Sequence, residues 1–439
     1  MRRSRVLVGL AIFALIAAGC SSKSSNAGTS GSANASTGGQ PVTIKIWHNY
    51  GTEQNATALT NLVTAFEAAN PNIKVDVVSQ PADNYFALLK AAAISKTGPD
   101  LAVMWTGLFT LQYKSFLQNL KGLIPDADLA RIDPDALKWT SDNFDASNGP
   151  YVIPLENQFY IGFYNKAAFK KAGVSSFPAT WSDLFAACQK LKSAGYVPLV
   201  YGNGGQPLGA EFYPWYDMSY LMIGAHPLAD WKSLYDGQIS WTSADNTSQL
   251  TNWAKLHSTC TNQDVLTKTD NLGDFEKGRA AMIIDGTWDT QKFTDAMGSN
   301  VAAFVPPFSN SPMQGVVQFA GDGISMMSYS THQAEAAKFL DFMTTDQAAQ
   351  LIDQAGLIPA IQGTSTSNPV NQQMLGFALN GMTAYPMLDN VVQSAVVDVG
   401  NKLLPSTLAG QTSPQQALSQ MQAALEALPA DQRGSTYSA

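Results

Sequence analysis

Val42-Thr43-Ile44-Lys45-Ile46-Trp47 alternates and is rich in β-branched residues, so it reads as a strand. It runs into the polar turn His48-Asn49-Tyr50-Gly51-Thr52-Glu53, and then a helix is expected. There Leu59, Leu62, Val63 and Phe66 recur at i, i+3, i+4 and i+7, one apolar stripe. Asn70-Pro71-Asn72 stops the helix, and Ile73 to Val78 is the next strand. A second helix from about Tyr85 to Ser95 ends before Thr97-Gly98-Pro99-Asp100, and Leu101-Ala102-Val103-Met104-Trp105 is a third strand. This β-α-β-α-β order implies a mainly parallel sheet flanked by helices. Ligands of such sheets sit beyond the carboxyl ends of strands, where Asn49, Tyr50, Glu53, Trp105 and Thr106 fall.

A second half-pattern follows Ser147-Asn148-Gly149-Pro150. Tyr151 to Glu156 leads into the aromatic strand Phe159 to Lys166, and a helix from Ala167 to Ala172 is closed by Gly173. Thr180 or Ser182 can cap the next helix, whose core side is Leu184, Cys188 and Leu191. Pro198 to Val200 reads as a short strand delivering a Gly-rich loop and then Glu211-Phe212-Tyr213-Pro214-Trp215-Tyr216-Asp217-Met218-Ser219-Tyr220. Those ten residues hold five aromatic rings and two carboxylates. Rings with a hydroxyl or an indole N–H present an apolar face and a polar edge, which suits a ligand built the same way. Met282 to Ile284 and Val301 to Pro307 read as strands, and helices are expected at 334–343, 346–354 and 415–428.

The first twenty residues lie outside this pattern. Met1-Arg2-Arg3-Ser4-Arg5 is basic, and Val6 to Ala18 is apolar but shorter than the roughly 20 residues that span a bilayer. Ending in Ala17-Ala18-Gly19-Cys20, the stretch resembles a bacterial lipobox, which implies a signal peptide over 1–19 and lipidation of Cys20. Residues 21–40 are a Ser/Gly/Ala/Asn tract with the composition of a flexible tether. No second long apolar run follows. An extracytoplasmic protein held at the cell membrane by its lipid anchor is therefore expected.

Without Arg2, Arg3 and Arg5 the chain has 23 basic residues against 34 acidic ones, a net charge of about −11. That balance argues against nucleic acid and against electrostatic attachment to an anionic surface. Only Arg131, Arg279 and Arg433 remain, which disfavours bidentate capture of an anionic ligand. Cys188 and Cys260 could pair in an exported protein, but both stand in helix-like segments that nothing in the sequence brings together, so the sequence does not decide whether they join. There is no His-Glu-x-x-His, no Gly-x-Ser-x-Gly, no phosphate-cradling loop and no metal-ligand spacing. Neither a catalytic residue, a metal nor a cofactor is expected. Glu156 and Glu211 are the one carboxylate pair that could serve glycoside hydrolysis.

Several motifs now stand in order: Thr97-Gly98-Pro99-Asp100 before a strand ending in Trp105, Ile153-Pro154 to Tyr164-Asn165-Lys166, and Phe177-Pro178-Ala179-Thr180-Trp181-Ser182-Asp183-Leu184. Phe275-Glu276-Lys277-Gly278-Arg279-Ala280-Ala281-Met282 through Gly286-Thr287-Trp288 completes the set. With the lipobox, they resemble the extracellular solute-binding proteins of ATP-binding-cassette importers, in the family that includes the maltodextrin-binding protein. The resemblance runs from Val42 to about Leu428. It implies the two-lobe α/β fold of periplasmic binding proteins, each lobe a mainly parallel sheet, with a hinge crossed several times. Lobe one would take residues 41–150 and 317–382, and lobe two 151–316 and 383–439.

The function it implies is capture of a mono- or oligosaccharide between the lobes by a monomer that delivers it to a membrane permease. A polyamine or a glycerophosphodiester is the alternative ligand. By position in the family, Trp105 would stack on the sugar, Glu211, Phe212 and Tyr213 would form an acidic-aromatic cluster, Trp215 would follow them, and Trp288 would add a further ring. Asn49, Tyr50, Glu53, Thr106, Glu156 and Asp322 would serve its hydroxyls. Tyr385 stands nearest to a further stacking ring of the maltodextrin binders. Within Glu211–Tyr220 the first half would be lobe two's binding wall and the second half the start of a packed helix.

Overall fold

The computed structural model describes residues 41–51, 53–81, 84–106, 108–133, 150–202 and 214–433. The expected opening is present: β1 (Val42–His48), α1 (Gln54–Ala69), β2 (Ile73–Ser79), α2 (Tyr85–Ser95) and β3 (Leu101–Trp105). β1 lies between β2 and β3, parallel to both. Ile44 and Ile46 point inward to meet the Leu59, Leu62 and Phe66 stripe of α1. Asp100, of the Gly-Pro-Asp motif, plays a structural part. Its carboxylate accepts the Lys45 backbone N–H at 2.9 Å and the Ser330 hydroxyl at 2.6 Å.

The chain then enters β4 (Ile153–Pro154) and β5 (Asn157–Asn165). Helices α3 (Trp181–Ser193), α4 (Pro214–Ala225) and α5 (Ala244–Ala254) follow, then β6 (Met282–Gly286), β7 (Val301–Phe304), β8 (Gly315–Ala320) and β9 (Asp322–Met326). The Thr180 hydroxyl caps α3 by accepting from the Asp183 N–H. Helices α6 (Gln333–Phe342), α7 (Asp346–Gln354) and α8 (Pro369–Leu379) lead to β10 (Thr383–Tyr385), and α9 (Ser394–Leu408) and α10 (Pro414–Glu426) end the described chain's regular structure.

Two sheets result, ordered β2-β1-β3-β9-β4 and β10-β8-β5-β6, with β7 also pairing β5. Parallel order holds for β1 to β3, while the second sheet is mostly antiparallel because β6, β7 and β8 all return against β5. Only β10 and β8 run parallel there. In place of the expected strand at 198–200, Val197 and Leu199 make isolated bridges with Ala280 and Thr261. Each sheet has its own core. Phe66, Leu101, Val103, Ile324, Phe339 and Ile352 pack on the first. The second is covered on one face by Trp181, Trp215, Trp241, Trp253 and the C-terminal helices, and on the other by Phe159, Phe163, Phe275, Phe293 and Met374.

Cys188 of α3 and Cys260 form a disulfide inside the first of those faces, with Cα atoms 5.1 Å apart. This decides the pairing that the sequence leaves open. The two helix-like segments converge because both bury their apolar sides in one core, which their spacing of 72 residues does not reveal.

The sheets are joined by one antiparallel ribbon. Ile153 and Pro154 face Ile324 and Gly323, the Leu155 N–H donates to the Asp322 carbonyl at 2.7 Å, and the Gly321 N–H donates to the Glu156 carbonyl at 3.1 Å. In the same register Asn157 faces Ala320. The chain thus changes sheet at residues 155–156 and again at Gly321. A third segment touches the ribbon where the Asn157 N–H donates to the Ile358 carbonyl at 2.8 Å. The expected change of lobe at 317 stands four residues early, since Val317 pairs with Tyr160 in the second sheet. Val370 and Met374 of α8 likewise pack on the second sheet.

A candidate ligand cleft at the crossing of two sheets

Trp105 ends β3 and Asp322 begins β9, and the two are cross-strand partners, so their side chains share a face. Trp105 is 36% exposed, unusual for a tryptophan at a strand end, and Phe86 packs edge-on against it with ring centres 4.7 Å apart. The half-buried Asp322 carboxylate has no hydrogen-bond partner among the described residues. Burial, and secondarily the charge of Glu156, raises its pKa well above the usual carboxylate range.

The turn after β1 supplies Asn49 and Tyr50. Tyr50 is buried, and neither its hydroxyl nor Asn49 Oδ1 has a hydrogen-bond partner among the described residues. Burial raises the Tyr50 pKa well above its ordinary value, with Asp322 and Glu156 adding to the shift. Beside it His48 is pushed down by burial, favouring a neutral imidazole. Glu53 is exposed at the start of α1.

Glu156 differs from its expected role. It is 0% exposed, and its Oε1 accepts Asn55 Nδ2 at 2.6 Å and Gln158 Nε2 at 2.7 Å. Burial lifts its pKa to about 7 against the pull of Gln158, Asn55 and Thr287. Oε1 is thus occupied within the protein, while Oε2 is buried with no direct hydrogen-bond partner among the described residues. Thr106 is corrected in the same way, since its buried hydroxyl donates to the Ala320 carbonyl and ties β3 to the crossing.

From the second sheet come Tyr160, Thr287 and Trp288. The Trp288 ring lies edge-on to Tyr160 at 5.4 Å and tilted to Tyr216 at 5.6 Å, leaving 8% exposure. Burial, then Asp389, then Asp322 among others raise the Tyr160 pKa, so its hydroxyl lies within the field of groups from both sheets.

Trp215 is not with them. It is 3% exposed, its indole N–H donates to the Val397 carbonyl at 3.3 Å, and a Cβ on Gly400 would stand 2.5 Å from its ring. It packs α4 against α9, and the ligand role expected for it is withdrawn. Tyr385 is buried against Trp231, with ring centres 5.1 Å apart. Glu211, Phe212 and Tyr213 lie outside the described residues. Tyr216 and Tyr220 are buried in α4, as the second half of that stretch predicted.

Asp322 is thus the common neighbour of Trp105, Tyr50 and Tyr160, Trp288 packs on Tyr160, and Glu156 joins Asn55, Gln158 and Thr287. Asn55, Gln158, Tyr160 and Thr287 were missed. Glu156, Gln158 and Tyr160 carried a signal, since spacing of two puts them on one face of an extended segment. Among the described residues, no lysine or arginine is among the groups shifting Tyr50, Glu156 or Asp322. Arg131 is paired with Asp346, and Arg279 with Asp270 and Asp274. No cluster of side chains fit to hold a metal ion occurs among the described residues.

Against known proteins, a family model described as bacterial extracellular solute-binding protein matches residues 50–350. The sn-glycerol-3-phosphate-binding periplasmic protein UgpB of Escherichia coli (strain K12) is 24% identical over 407 residues, covering 86% of this chain and 90% of UgpB. A chitin oligosaccharide binding protein superposes with a TM-score of 0.77 at 20% identity, over 88% of this chain and 99% of that one. The maltose/maltodextrin-binding domain MalE from Bdellovibrio bacteriovorus, bound to maltotriose, gives 0.69 at 18% identity, over 88% and 99%. At such identities the structural likeness carries the two-lobe fold alone.

Proposed function

The chain belongs to the bacterial extracellular solute-binding proteins, and on that premise we propose that it is the substrate-binding component of an ATP-binding-cassette importer, capturing a mono- or oligosaccharide between its lobes. The observation that carries the sugar is the pairing of Trp105 with Asp322. A partly exposed indole beside a carboxyl group with no partner among the described residues offers a sugar ring both an apolar surface and a group that can hydrogen-bond a hydroxyl. Tyr50 and Asn49 add buried polar atoms whose burial is costly until a ligand satisfies them. Recognition here involves no chemistry. The family is one of binding proteins, and the enclosed Glu156 is unsuited to act as a glycosidase acid. Among the described residues, lobe one then takes 41–155 and about 322–364, and lobe two takes 156–321 and about 365–433.

The ligands of UgpB, of the chitin oligosaccharide binder and of MalE differ in charge, and the acids at this cleft bear on the choice. Asp322 and Glu156, with no cation beside them among the described residues, disfavour a phosphate and favour a neutral polyol. A second reading, a cationic polyamine, draws on the same Asp322. The basic start, the apolar run and Ala17-Ala18-Gly19-Cys20 support export, lipidation of Cys20 and tethering of a monomer beside its permease.

A thermal-shift screen over oligosaccharides, monosaccharides, polyamines and glycerophosphodiesters separates these readings, because a ligand that prefers the folded state raises Tm. Against whichever sugar scores, Trp105→Ala is expected to weaken binding by about 1–4 kcal/mol without lowering Tm, by analogy with aromatic anchors at interfaces. Unchanged calorimetric affinity would remove Trp105 from the site. A shift with spermidine alone would replace the sugar by a polyamine.

A further inference from the structure

One side chain at the crossing reaches into both lobes. Glu156 stands between β4 of the first sheet and β5 of the second, opposite Gly321 of the return crossing, and it bridges Pro359 of the third segment. Its Oε1 takes Asn55 from the first turn of α1 and Gln158 from β5. α1 is anchored in the first core through Leu59, Leu62 and Phe66, and β5 is an inner strand of the second sheet. Gln158 is itself held in place, since a Cβ on Gly321 would stand 2.1 Å from its Cδ. A single carboxylate oxygen is thus the common acceptor for two side chains fixed to different lobes.

We propose that Glu156 is a positioning residue: it does not touch the ligand but ties the lobes across the hinge, and the strength of that tie sets how readily the cleft closes. The proposal rests on reading the cleft as the ligand site. Any rotation of one lobe against the other must move the Asn55 amide relative to that of Gln158. Both hydrogen bonds to a shared oxygen resist that movement. An ionised acceptor makes such bonds about twice as strong as a neutral one, so protonation slackens the tie. Its titration near pH 7 puts the change within the range the protein meets outside the cell. The titratable groups around it are Tyr50 at the end of β1, with Glu53, Tyr85 and His48 near Tyr50, and Asp322 at the start of β9. Thr287 adds a hydroxyl from the second lobe.

The test compares the protein with Glu156→Gln and Asn55→Ala, each first shown to melt cooperatively. Small-angle scattering without ligand, at pH 6 and pH 8, should show a change of lobe separation in the parent protein and none in Glu156→Gln. Calorimetry with maltotriose, a chitin oligosaccharide and spermidine as probes should give a parent affinity that differs at least threefold between those pH values. Glu156→Gln should flatten that dependence while still binding, and Asn55→Ala added to it should change little further, because both act through one tie. Superimposable parent scattering at the two pH values would overturn the proposal. So would loss of binding in Glu156→Gln with the parent's scattering retained, which would make Glu156 a ligand contact. If none of the three probes binds, the ligand reading of the cleft fails and the scattering alone decides the tie.

Discussion

Asp217→Asn is expected to gain about 3–4 kcal/mol of stability relative to the parent protein as the pH is raised from 4 to 8. Asp217 lies in α4, 1% exposed, and its Oδ2 accepts the Tyr201 hydroxyl at 2.6 Å and Trp253 Nε1 at 2.7 Å. Oδ1 has no hydrogen-bond partner among the described residues. Burial outweighs the two donors and lifts its pKa from 3.8 to about 7. The sign follows from where each state releases the proton. The unfolded chain does so near pH 3.8 and the folded protein near pH 7, so between them the folded state binds more protons and stability falls as pH rises. By pH 8 the full cost, about 4 kcal/mol, is present. Asparagine keeps the acceptor for Tyr201 and Trp253 and does not titrate. Its amide NH2 would occupy the place of the unpartnered Oδ1 at a cost of about 1–3 kcal/mol, the same at both pH values. Glu156 titrates in parent and variant alike and cancels from the difference. Urea denaturation at pH 4 and pH 8 reads the effect, and parallel stability curves would show that Asp217 is ionised without penalty.

How much of this was legible follows from what each signal depends on. The β1-α1-β2-α2-β3 unit could be read because its spacing is local: Leu59, Leu62 and Phe66 must share a face, and Asn70-Pro71 must end the helix. Trp105 at the end of a strand was legible for the same reason. Strand direction in the second sheet was not, because β6, β7 and β8 return against β5 through tertiary packing that leaves no local mark. The resemblance put the change of lobe at 317, whereas the chain changes sheet at Gly321, where Gln158 leaves no room for a side chain. Trp215 misled because its position in an aromatic run suggested a wall, whereas α9 covers it. Glu156 misled differently. Its acid type was right for a site, but only the crossing shows that Asn55 and Gln158 enclose it.

The loss of the Cys188–Cys260 disulfide is expected to cost about 4 kcal/mol, and to fall on one lobe. The bond closes a loop of 72 residues, for which the chain-entropy account gives roughly that stabilisation through the unfolded state. Both cysteines are buried beside Leu191, Leu199, Leu256 and Val265 in the core of the second lobe, and neither touches the first sheet's core. Two lobes with separate cores need not unfold together. The doubly substituted Cys188→Ala, Cys260→Ala protein should therefore show the transition of the second lobe moved to lower urea. That transition can be followed through the tryptophans packed there, Trp181, Trp215, Trp241 and Trp253. The transition of the first lobe should stay in place. Alanine avoids burying two hydroxyls, so the loss reports the cross-link and the small cavity it leaves. A uniform loss in both transitions would mean that the lobes unfold as one unit, and no loss would mean that the pair is not joined in the folded protein. Ligand affinity should change little at neutral pH, because Trp105 and Asp322 stand on the other sheet and the cleft does not depend on the bond.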